Sequence, residues 1–336
     1  MYITPTEIEA TQKNIMVIGT GGTIAGKGQE GETATYDSAQ IKVDELVSEI
    51  PALKSLANVT SKNIFDVDSC DMTLDKLIKL AKYINEEAKK DDVDGIVITH
   101  GTDTLEETAY FLNLVLKTDK PVVLTGSMRP STATSADGPL NLYQAVALAK
   151  NEEAVGKGVL VVFSDGIYGS RDVTKVNTFR TDAFSQKDLG CLGYMRDDKA
   201  FFFNSSTKLH TTGSEFNIEN IDSLPRVDIL MFYIDAEKDL LNYVSKNCQG
   251  IVLAGAGSGG SSTSWDNAVA KIVESGIPVV RSSRIGNGLI TYDKSETQTK
   301  GIYSVNLSPQ KARILLSLAL TKTNNIKEIQ EIFEKY

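Results

Sequence analysis

The sequence predicts an α/β protein of two domains, a larger N-terminal domain with a mainly parallel sheet and a smaller C-terminal parallel α/β domain. Short apolar runs alternate with longer helical patterns, which is typical of βα units. The apolar runs are nearly continuous, as in strands that are covered on both faces. The chain has 336 residues, of which 41% are hydrophobic, so it can fill more than one core.

The first part of the chain alternates strands and helices, and a polar stretch without periodicity follows it. The predicted strands are 15–20, 59–67, 95–99, 122–125 and 159–163, and the predicted helices are 74–87, 105–116 and 140–150. After the polar stretch come strands 227–233, 250–256 and 277–282, with helices 239–247, 264–275, 309–320 and 326–333. We therefore predict an N-terminal domain at 1–204, a linker at 205–226 and a C-terminal domain at 227–336.

Composition excludes several classes of function. The chain carries 35 basic and 44 acidic residues, a net charge of −9 that repels phosphate backbones, so no nucleic-acid partner is expected. No apolar run approaches the ~18 residues of a membrane span. The start, MYITPTEIEATQ, does not resemble a signal peptide, which predicts a cytoplasmic protein, or a periplasmic one if a signal was removed. Three dispersed cysteines and two histidines predict neither a disulfide framework nor a metal site.

Polar residues follow four of the predicted strands. The segments are GTGGT at 19–23, DSCD at 68–71, HGTD at 100–103, and SDG at 164–166 with SRDVTK at 170–175. In open α/β sheets, ligands bind beyond the carboxyl ends of the strands, so these segments predict one polar site. The alternative is that loops are polar wherever they lie.

Two threonines at strand ends, Thr23 and Thr102, are candidate nucleophiles. A hydroxyl becomes nucleophilic when a base takes its proton, and Lys175, after a neighbouring strand, is a candidate base. Asp103 could pair with Lys175 or hold the ammonium group of a substrate. The backbone amides of Gly22 and Thr102 could stabilise a developing oxyanion. The structural alternative for Thr102 is the N-cap of the following helix.

Two glycine-rich loops raise the alternative of a bound nucleotide. Residues 21–27 nearly form a P-loop, but Gly28 stands where a Ser or Thr would bind Mg²⁺, and a poor helix start follows. Residues 255–260 satisfy G-x-G-x-x-G between a strand and a helix, so a dinucleotide site is a genuine rival. However, the next strand ends without a carboxylate for the ribose, which favours a tight turn. A third interpretation places this loop at the border of an active site on another subunit.

Long motifs in this chain match a known family. IGTGGTIAG at 18–26 and GIVITHGTDTLEET at 95–108 stand in order, each at the end of a strand. Shorter matches are MRP at 128–130, SADGP at 135–139, RDVTK at 171–175 and PQKAR at 309–313. On these residues the chain resembles bacterial-type L-asparaginases, most closely the high-affinity class II group, from about residue 14 to residue 336.

The resemblance implies roles for individual residues. Thr23 would be the primary nucleophile, on a loop that closes over the substrate, and Tyr36 the tyrosine that orients or activates it. Thr102 and Lys175 would be the second threonine and the lysine. Asp103 would face the α-amino group of the substrate.

The resemblance also implies a substrate-binding rim and an assembly. Ser69 would bind the α-carboxylate of the substrate, and Gly22 and Gly101 would line the site. The C-terminal domain would be flavodoxin-like, and no cofactor would be needed. The protein would be a homotetramer, a dimer of dimers, with each site between the larger domain of one subunit and the smaller domain of its neighbour.

At four positions of the rim the sequence departs from the family pattern or is hard to match to it. Cys70 stands where glutamine is usual, which predicts altered affinity or altered selectivity between asparagine and glutamine. Ser127 replaces a common alanine, a mild change. Ser258 stands where many relatives have an asparagine from the adjacent subunit. Glu296 is the candidate for the glutamate of the neighbouring subunit, although ungapped matching places Ser295 there.

The sequence therefore predicts an amidohydrolase that converts L-asparagine to L-aspartate and ammonia through a threonine acyl-enzyme. Three alternatives remain: a glutaminase-asparaginase, an amino-acid-binding protein without hydrolysis, and a dinucleotide-binding protein. The order in which the hydroxyls of Thr23 and Thr102 attack stays open.

Overall fold

A computed structural model describes residues 12–33, 36–290 and 301–336, along which strands and helices alternate. The strands are β1 (Asn14–Gly21), β2 (Lys27–Gly28), β3 (Tyr36–Asp37), β4 (Asn58–Val67), β5 (Gly95–Thr99), β6 (Val122–Thr125), β7 (Val159–Phe163), β8 (Gly166–Gly169), β9 (Thr174–Lys175), β10 (Phe184–Ser185), β11 (Gly193–Arg196), β12 (Lys199–Phe202), β13 (Val227–Met231), β14 (Gly250–Gly255), β15 (Val279–Ser283) and β16 (Ile302–Tyr303). The helices are α1 (Val43–Ser48), α2 (Leu53–Leu56), α3 (Leu74–Ala88), α4 (Leu105–Val115), α5 (Gly138–Ala149), α6 (Asp239–Ser245), α7 (Thr263–Glu274), α8 (Pro309–Ala319) and α9 (Ile326–Lys335).

The larger sheet has the strand order β12-β11-β8-β7-β6-β5-β1-β4. Neighbouring strands from β4 to β7 all pair in parallel, as the βα alternation predicts. The five strands predicted in this part of the chain match β1, β4, β5, β6 and β7 to within one residue at each end. The mainly parallel sheet of the larger domain is therefore confirmed.

Three antiparallel strands, β8, β11 and β12, extend this sheet and were not predicted. The turn between β7 and β8 consists of Ser164 and Asp165, whose φ angles are 45° and 64°. A two-residue hairpin turn favours such positive angles because they match the twist of the strands. Each of the three strands has four residues, which is too short for an alternating pattern to stand out.

The edge strand β4 departs from the expectation that both faces of each strand are covered. Along most of β4, exposed and partly buried side chains alternate, whereas all five residues of β5 are buried. β4 lies at the end of the strand order, beside β1, so less of the structure covers it. Polar residues such as Thr60 and Lys62 fit this position.

The smaller sheet has the order β13-β14-β15-β16, and all of its neighbours pair in parallel. Leu253 and Val279 pack with Trp265 and Val269 of α7 on one face of this sheet. The opposite face contributes Val252 to a cluster that also contains Leu315 of α8. The predicted smaller parallel α/β domain is confirmed.

One hydrophobic cluster joins the two domains. It contains Ile18 and Ile98 of the larger sheet and Leu112 of α4, and it continues into Leu315 of α8. α4 packs directly against α8. The start of α4 is therefore close to residues of the C-terminal domain, which matters for the site below.

The predicted linker at 205–226 packs against the N-terminal domain. Phe216 and Ile218 are fully buried in the cluster that also contains α3 and α4. Lys117 Nζ donates hydrogen bonds to the carbonyl oxygens of Thr211, at 3.3 Å, and Ser214. The polar segment is irregular because its backbone groups form hydrogen bonds with side chains and within short 3₁₀ turns, and not with a neighbouring strand.

Several helices begin at residues whose side chains accept a hydrogen bond from the first turn. Thr73 accepts from the backbone nitrogen of Lys76 in α3, and Ser262 accepts from that of Trp265 in α7. α3, with 15 residues, is the longest helix in the described part of the chain. None of the described helices combines the length and the apolar character that crossing a bilayer requires.

Candidate active site

β1 ends in a glycine turn that brings Thr23 next to the loop that follows β5. Gly21 and Gly22 have φ angles of 104° and 82°, a conformation that favours glycine. A Cβ atom on Gly22 would lie 2.3 Å from both the backbone nitrogen and the Cα atom of Gly101. A side chain at Gly22 would force the two loops apart, so the glycines bring the segment of Thr23 against the segment of Thr102.

The hydroxyl of Thr23 lies beside a phenol. Thr23 is 8% exposed, and its Oγ1 is 2.8 Å from Oη of Tyr36, with either atom able to donate. The short β2–β3 hairpin carries Tyr36, and the backbone nitrogen of Ala39 donates to the carbonyl oxygen of Gly22 at 3.2 Å. The pair of hydroxyls can pass a proton in either direction, which suits the activation of a nucleophile.

A second set consists of Thr102, Asp103 and Lys175. Lys175 Nζ donates to Oγ1 of Thr102 at 2.8 Å and to Oδ1 of Asp103 at 2.5 Å. Thr102 is 5% exposed, whereas the side chain of Asp103 is 58% exposed. A cleft of about 390 Å³ opens beside Asp103 and Lys175. The lysine and the threonine are therefore enclosed, and the carboxylate faces the open side.

The loop after β4 is joined to the start of α4. Thr104 Oγ1 donates to the carbonyl oxygen of Ser69 at 2.7 Å. Ser69 is 4% exposed, and a Cβ atom on Gly101 would lie 2.8 Å from its Oγ. The predicted site residues Gly22, Gly101 and Ser69 are therefore contiguous in space.

Cys70 and two carboxylates form the outer side of the site. Cys70 Sγ lies 3.7 Å from Oδ2 of Asp103, and the backbone nitrogen of Cys70 donates to Oδ1 of Asp68 at 2.8 Å. That amide bond lowers the pKa of Asp68, and desolvation together with the neighbouring carboxylates raises the pKa of the Cys70 thiol. The thiol is thus kept protonated beside Asp103.

The same three side chains have a geometry that could be mistaken for a metal site. Asp68, Cys70 and Asp103 each offer one ligand atom, and these atoms lie within 4.8 Å of one another. All three residues are exposed, and both carboxylates already accept hydrogen bonds, Asp103 from the amine of Lys175. The arrangement is a hydrogen-bonded rim rather than a set of uncommitted ligands.

Two expectations from the sequence are corrected here. The N-cap of α4 is Thr104 and not Thr102, whose hydroxyl instead accepts a hydrogen bond from Lys175. The amide of Gly22 donates to the carbonyl oxygen of Val67 at 3.1 Å, so in this conformation it is not available to an oxyanion. Gly22 serves the close packing of the two loops instead.

The remaining candidates make no hydrogen bond to these two sets among the described residues, although Gly126, next to Ser127, packs against Thr102. Ser127 is fully buried, and its hydroxyl donates to the carbonyl oxygen of Arg129 at 2.7 Å. Ser258 is exposed on the loop after β14 and lines a cleft of about 180 Å³ formed by residues of the C-terminal domain. Glu296 lies outside the described residues.

Neither glycine-rich loop has the geometry of a nucleotide site. Residues 23–25 form a single 3₁₀ turn that β2 follows, so no helix start is available at the P-loop-like segment. In the second loop, Ala256 and Gly260 exchange backbone hydrogen bonds of 2.8 and 2.7 Å. This closed turn agrees with the preferred interpretation of the G-x-G-x-x-G pattern.

Two residues that shape the site were not singled out in the sequence. Glu106 accepts a hydrogen bond from the backbone nitrogen of Lys175 at 2.6 Å, and Thr104 holds the Ser69 loop. Both lie at the start of α4, where a threonine N-cap and acidic residues are common in any helix. Because such residues are usual at the start of a helix, the sequence did not indicate that they also contact other loops.

Two family models together cover most of the chain. The model described as "Asparaginase, N-terminal" matches residues 14–208, and the one described as "Glutaminase/Asparaginase C-terminal domain" matches residues 226–333. The chain belongs to the asparaginase family. It is thus an amidohydrolase by family, and the fold and motif order predicted from the sequence are those of this family.

Individual relatives of this asparaginase-family chain are similar along nearly the full length. "L-asparaginase 2" of Bacillus subtilis is 48% identical over 96% of this chain and 86% of the relative. "Glutaminase-asparaginase" of Acinetobacter glutaminasificans is 46% identical over 97% and 100%. The crystal structure of a probable cytoplasmic L-asparaginase from Campylobacter jejuni has a TM-score of 0.94 at 44% identity, covering 97% of this chain and 100% of that chain.

Proposed function

We propose that the protein hydrolyses L-asparagine to L-aspartate and ammonia through a threonine acyl-enzyme. The observation that carries this proposal is the pair of hydroxyl sets at adjoining strand ends, Thr23 with Tyr36 and Thr102 with Lys175 and Asp103. Both sets lie in a chain of the asparaginase family whose relatives include a named L-asparaginase.

Thr23 is the proposed nucleophile. Its Oγ1 attacks the side-chain amide carbon of the substrate, and Tyr36 relays the proton: it takes the hydroxyl proton of Thr23 as its own phenolic proton passes on towards the leaving nitrogen. Returning a proton to the nitrogen as the C–N bond breaks lets ammonia leave. Water then attacks the ester carbon, and aspartate departs as the hydroxyl of Thr23 regains a proton.

The second set assists at the same reaction centre. Lys175 fixes the hydroxyl of Thr102 and the carboxylate of Asp103 with two short hydrogen bonds. Such preorganised groups stabilise the charge that develops in the transition state without having to reorient. Thr102 and Lys175 are the proposed partners in proton transfer to the leaving group and from the attacking water.

Substrate orientation requires one group for the ammonium and another for the α-carboxylate. Asp103 uses Oδ1 for Lys175, and its Oδ2 lies on the side of Cys70, where a substrate ammonium can bind. The Ser69 loop adjoins the same position and supplies the donor for the α-carboxylate. A zwitterion has no net charge, so the acidic protein does not repel it.

A glutaminase-asparaginase is the second candidate function. Cys70 favours it, because a short thiol beside Asp103 leaves room for a longer substrate. A relative of 46% identity is named glutaminase-asparaginase. The ratio of kcat/KM for L-asparagine and L-glutamine decides between the two functions.

The proposed assembly is a homotetramer, a dimer of dimers, whose sites lie between subunits. The exposed position of Ser258 on a loop of the C-terminal domain is compatible with a contact to a neighbouring site. Glu296 is proposed as the neighbouring subunit's glutamate on the resemblance alone.

We also propose a cytoplasmic location: none of the three cysteines forms a disulfide, and the Campylobacter relative is named cytoplasmic. Cell fractionation tests this against the periplasmic alternative.

The direct test is ammonia release from L-asparagine by the wild type and by two matched variants. Thr23→Ala removes the nucleophile and is expected to lower kcat by at least ~10³-fold. Thr23→Ser keeps a hydroxyl and should retain measurable turnover. Wild-type turnover by Thr23→Ala would show that another group attacks, and aspartate binding without ammonia release by the wild type would favour a binding protein.

A further inference from the structure

Glu106 connects the two elements that carry the second set of site residues. It lies in the first turn of α4, shortly after Thr102 and Asp103, and it is 4% exposed. Its Oε2 accepts a hydrogen bond of 2.6 Å from the backbone nitrogen of Lys175 in β9. One carboxylate therefore sets the spacing between the start of α4 and the strand of the lysine.

β9 needs such a contact because it is held weakly by its own sheet. It has two residues and pairs only with the two-residue β10 in the described strand order. Lys175 also has a long, flexible side chain whose ordering costs rotamer entropy. A fixed backbone position reduces the freedom that remains at Nζ.

Residues of the C-terminal domain hold the chain just before Lys175. Lys311 of α8 is 2% exposed, and its Nζ donates to the carbonyl oxygens of Arg171, at 2.9 Å, and Val173. The guanidinium of Arg171 donates to Oδ1 of Asn306 at 2.8 Å. Burial lowers the pKa of Lys311 to about 8, and attraction by Glu106 opposes this effect. The buried carboxylate and the buried amine thus approach the lysine segment from two domains.

Only one of the two carboxylate oxygens of Glu106 finds a hydrogen-bond partner among the described residues. Its Oε1 is buried and has no hydrogen-bond partner among the described residues. Leaving a buried polar atom without a partner is unfavourable. A buried carboxylate that is only partly satisfied and contacts a site segment is a candidate for a functional role.

We propose that Glu106 is a positioning residue that fixes Lys175 between Thr102 and Asp103 through the backbone of β9. This inference rests on the proposed function and adds to it a residue that does not touch the substrate. Displacement of a reacting group by about 1 Å can lower the rate about 10²-fold, so removal of the contact should affect kcat more than KM.

The test is a double-mutant cycle on asparagine hydrolysis. Glu106→Met removes the acceptor but fills its space, and kcat is expected to fall about 10²-fold, with KM changed by less than about threefold. Glu106→Gln keeps an acceptor oxygen and should retain most of the activity. In a Lys175→Met background, adding Glu106→Met should change kcat by less than about twofold, since Glu106 acts through Lys175. If Glu106→Met does not fold, Glu106→Asp takes its place in the cycle, because its shorter side chain moves the carboxylate oxygen away from the backbone nitrogen of Lys175.

Labelling of lysines by acetic anhydride, followed by mass spectrometry, gives a readout that needs no turnover. Glu106→Met should raise the labelling rate of Lys175 at least about fivefold, because the amine leaves its enclosed position. Glu107→Gln is the matched control, because Glu107 is the next residue of the same turn and makes no hydrogen bond to Lys175 among the described residues. If Glu106→Met raises the labelling rate of Lys175 but the wild type does not hydrolyse asparagine, the proposed function alone is refuted. The role of Glu106 would be overturned if Glu106→Met left the labelling rate of Lys175 unchanged. It would also be overturned if the losses of kcat from Glu106→Met and Lys175→Met multiplied in the double variant.

Discussion

The two site threonines differ in the groups that contact their hydroxyls. Oγ1 of Thr102 accepts from the amine of Lys175, which draws electron density from the oxygen. Oγ1 of Thr23 shares a 2.8 Å hydrogen bond with a phenol that can relay its proton. These contacts support the proposal that Thr23 is the nucleophile and Thr102 the fixed partner.

Tyr36 is expected to act on turnover rather than on binding. Tyr36→Phe removes the Oη atom that lies 2.8 Å from Thr23 and keeps the ring. We predict that kcat falls about 10²-fold, the usual contribution of a positioned proton-transfer group, while KM changes little. Steady-state kinetics with L-asparagine measure both, and a melting curve controls for folding. An unchanged kcat would remove Tyr36 from the mechanism.

Strand-end positions in the sequence predicted part of the candidate site. Thr102 and Asp103 follow β5 and Lys175 follows β8, with β6 and β7 between them in the sheet, and the structure brings the three side chains within hydrogen-bond distance. Tyr36 came only from the family resemblance, because a hairpin of two-residue strands has no recognisable pattern. Glu106 was missed because an acidic residue in the first turn suits any helix.

At the scale of elements, the junction between β5 and α4 depends on a buried histidine. His100 is fully buried, with Nδ1 2.7 Å from the carbonyl oxygen of Gly101 and Nε2 2.9 Å from Oγ1 of Thr108. A carbonyl only accepts, so Nδ1 carries the proton of the neutral ring and Nε2 accepts from Thr108. The ring fixes the turn that presents Thr102.

This histidine predicts an acid-dependent loss of stability. Burial lowers the pKa of His100 to about 4 from its ordinary value of 6.5. Between these values the unfolded chain binds a proton that the folded chain does not, so the free energy of unfolding decreases as pH falls. The slope from this one group approaches about 1.4 kcal/mol per pH unit.

Melting temperatures of wild type and His100→Gln across pH 4 to 6.5 measure this effect. The variant should be less stable near neutral pH, yet lose less stability on acidification than the wild type. His210→Gln is the matched control. His210 is only partly buried, although burial also lowers its pKa, so replacing it should change the pH dependence of the melting temperature less than replacing the fully buried His100. Parallel pH profiles for wild type and His100→Gln would contradict the assignment.

The parallel elements followed from the sequence and the antiparallel ones did not. Strands such as β5 and β6 are buried apolar runs between helices, so their pattern is unambiguous. The strands β8, β11 and β12 depend on a hairpin turn with positive φ at Ser164 and Asp165. Neither residue is the glycine or asparagine that usually marks such a turn.

At the scale of the whole molecule, the two domains share a core and a functional segment. The hydrophobic cluster runs from Ile98 of the larger sheet to Leu315 of α8. Lys311 of the same helix holds the chain before Lys175. This packing could not be predicted from the sequence, because nothing in a local pattern tells which helix of one domain meets which helix of the other.

The proposed assembly makes a prediction about concentration. Light scattering should give the mass of four copies of a 36.5 kDa chain. If each site needs a neighbouring subunit, activity per chain should fall on dilution below the dissociation concentration, and adding inactive Thr23→Ala chains should restore it in part. A monomer with full activity would contradict sites formed between subunits.

The identity of the acylated threonine is the most direct test of the central claim. The wild type is mixed with a slowly hydrolysed asparagine analogue, quenched in acid and digested, and the modified residue is located by mass spectrometry. The account predicts an ester on Thr23 that Tyr36→Phe forms more slowly. An ester on Thr102, or turnover in which Thr23→Ala still becomes acylated, would contradict it.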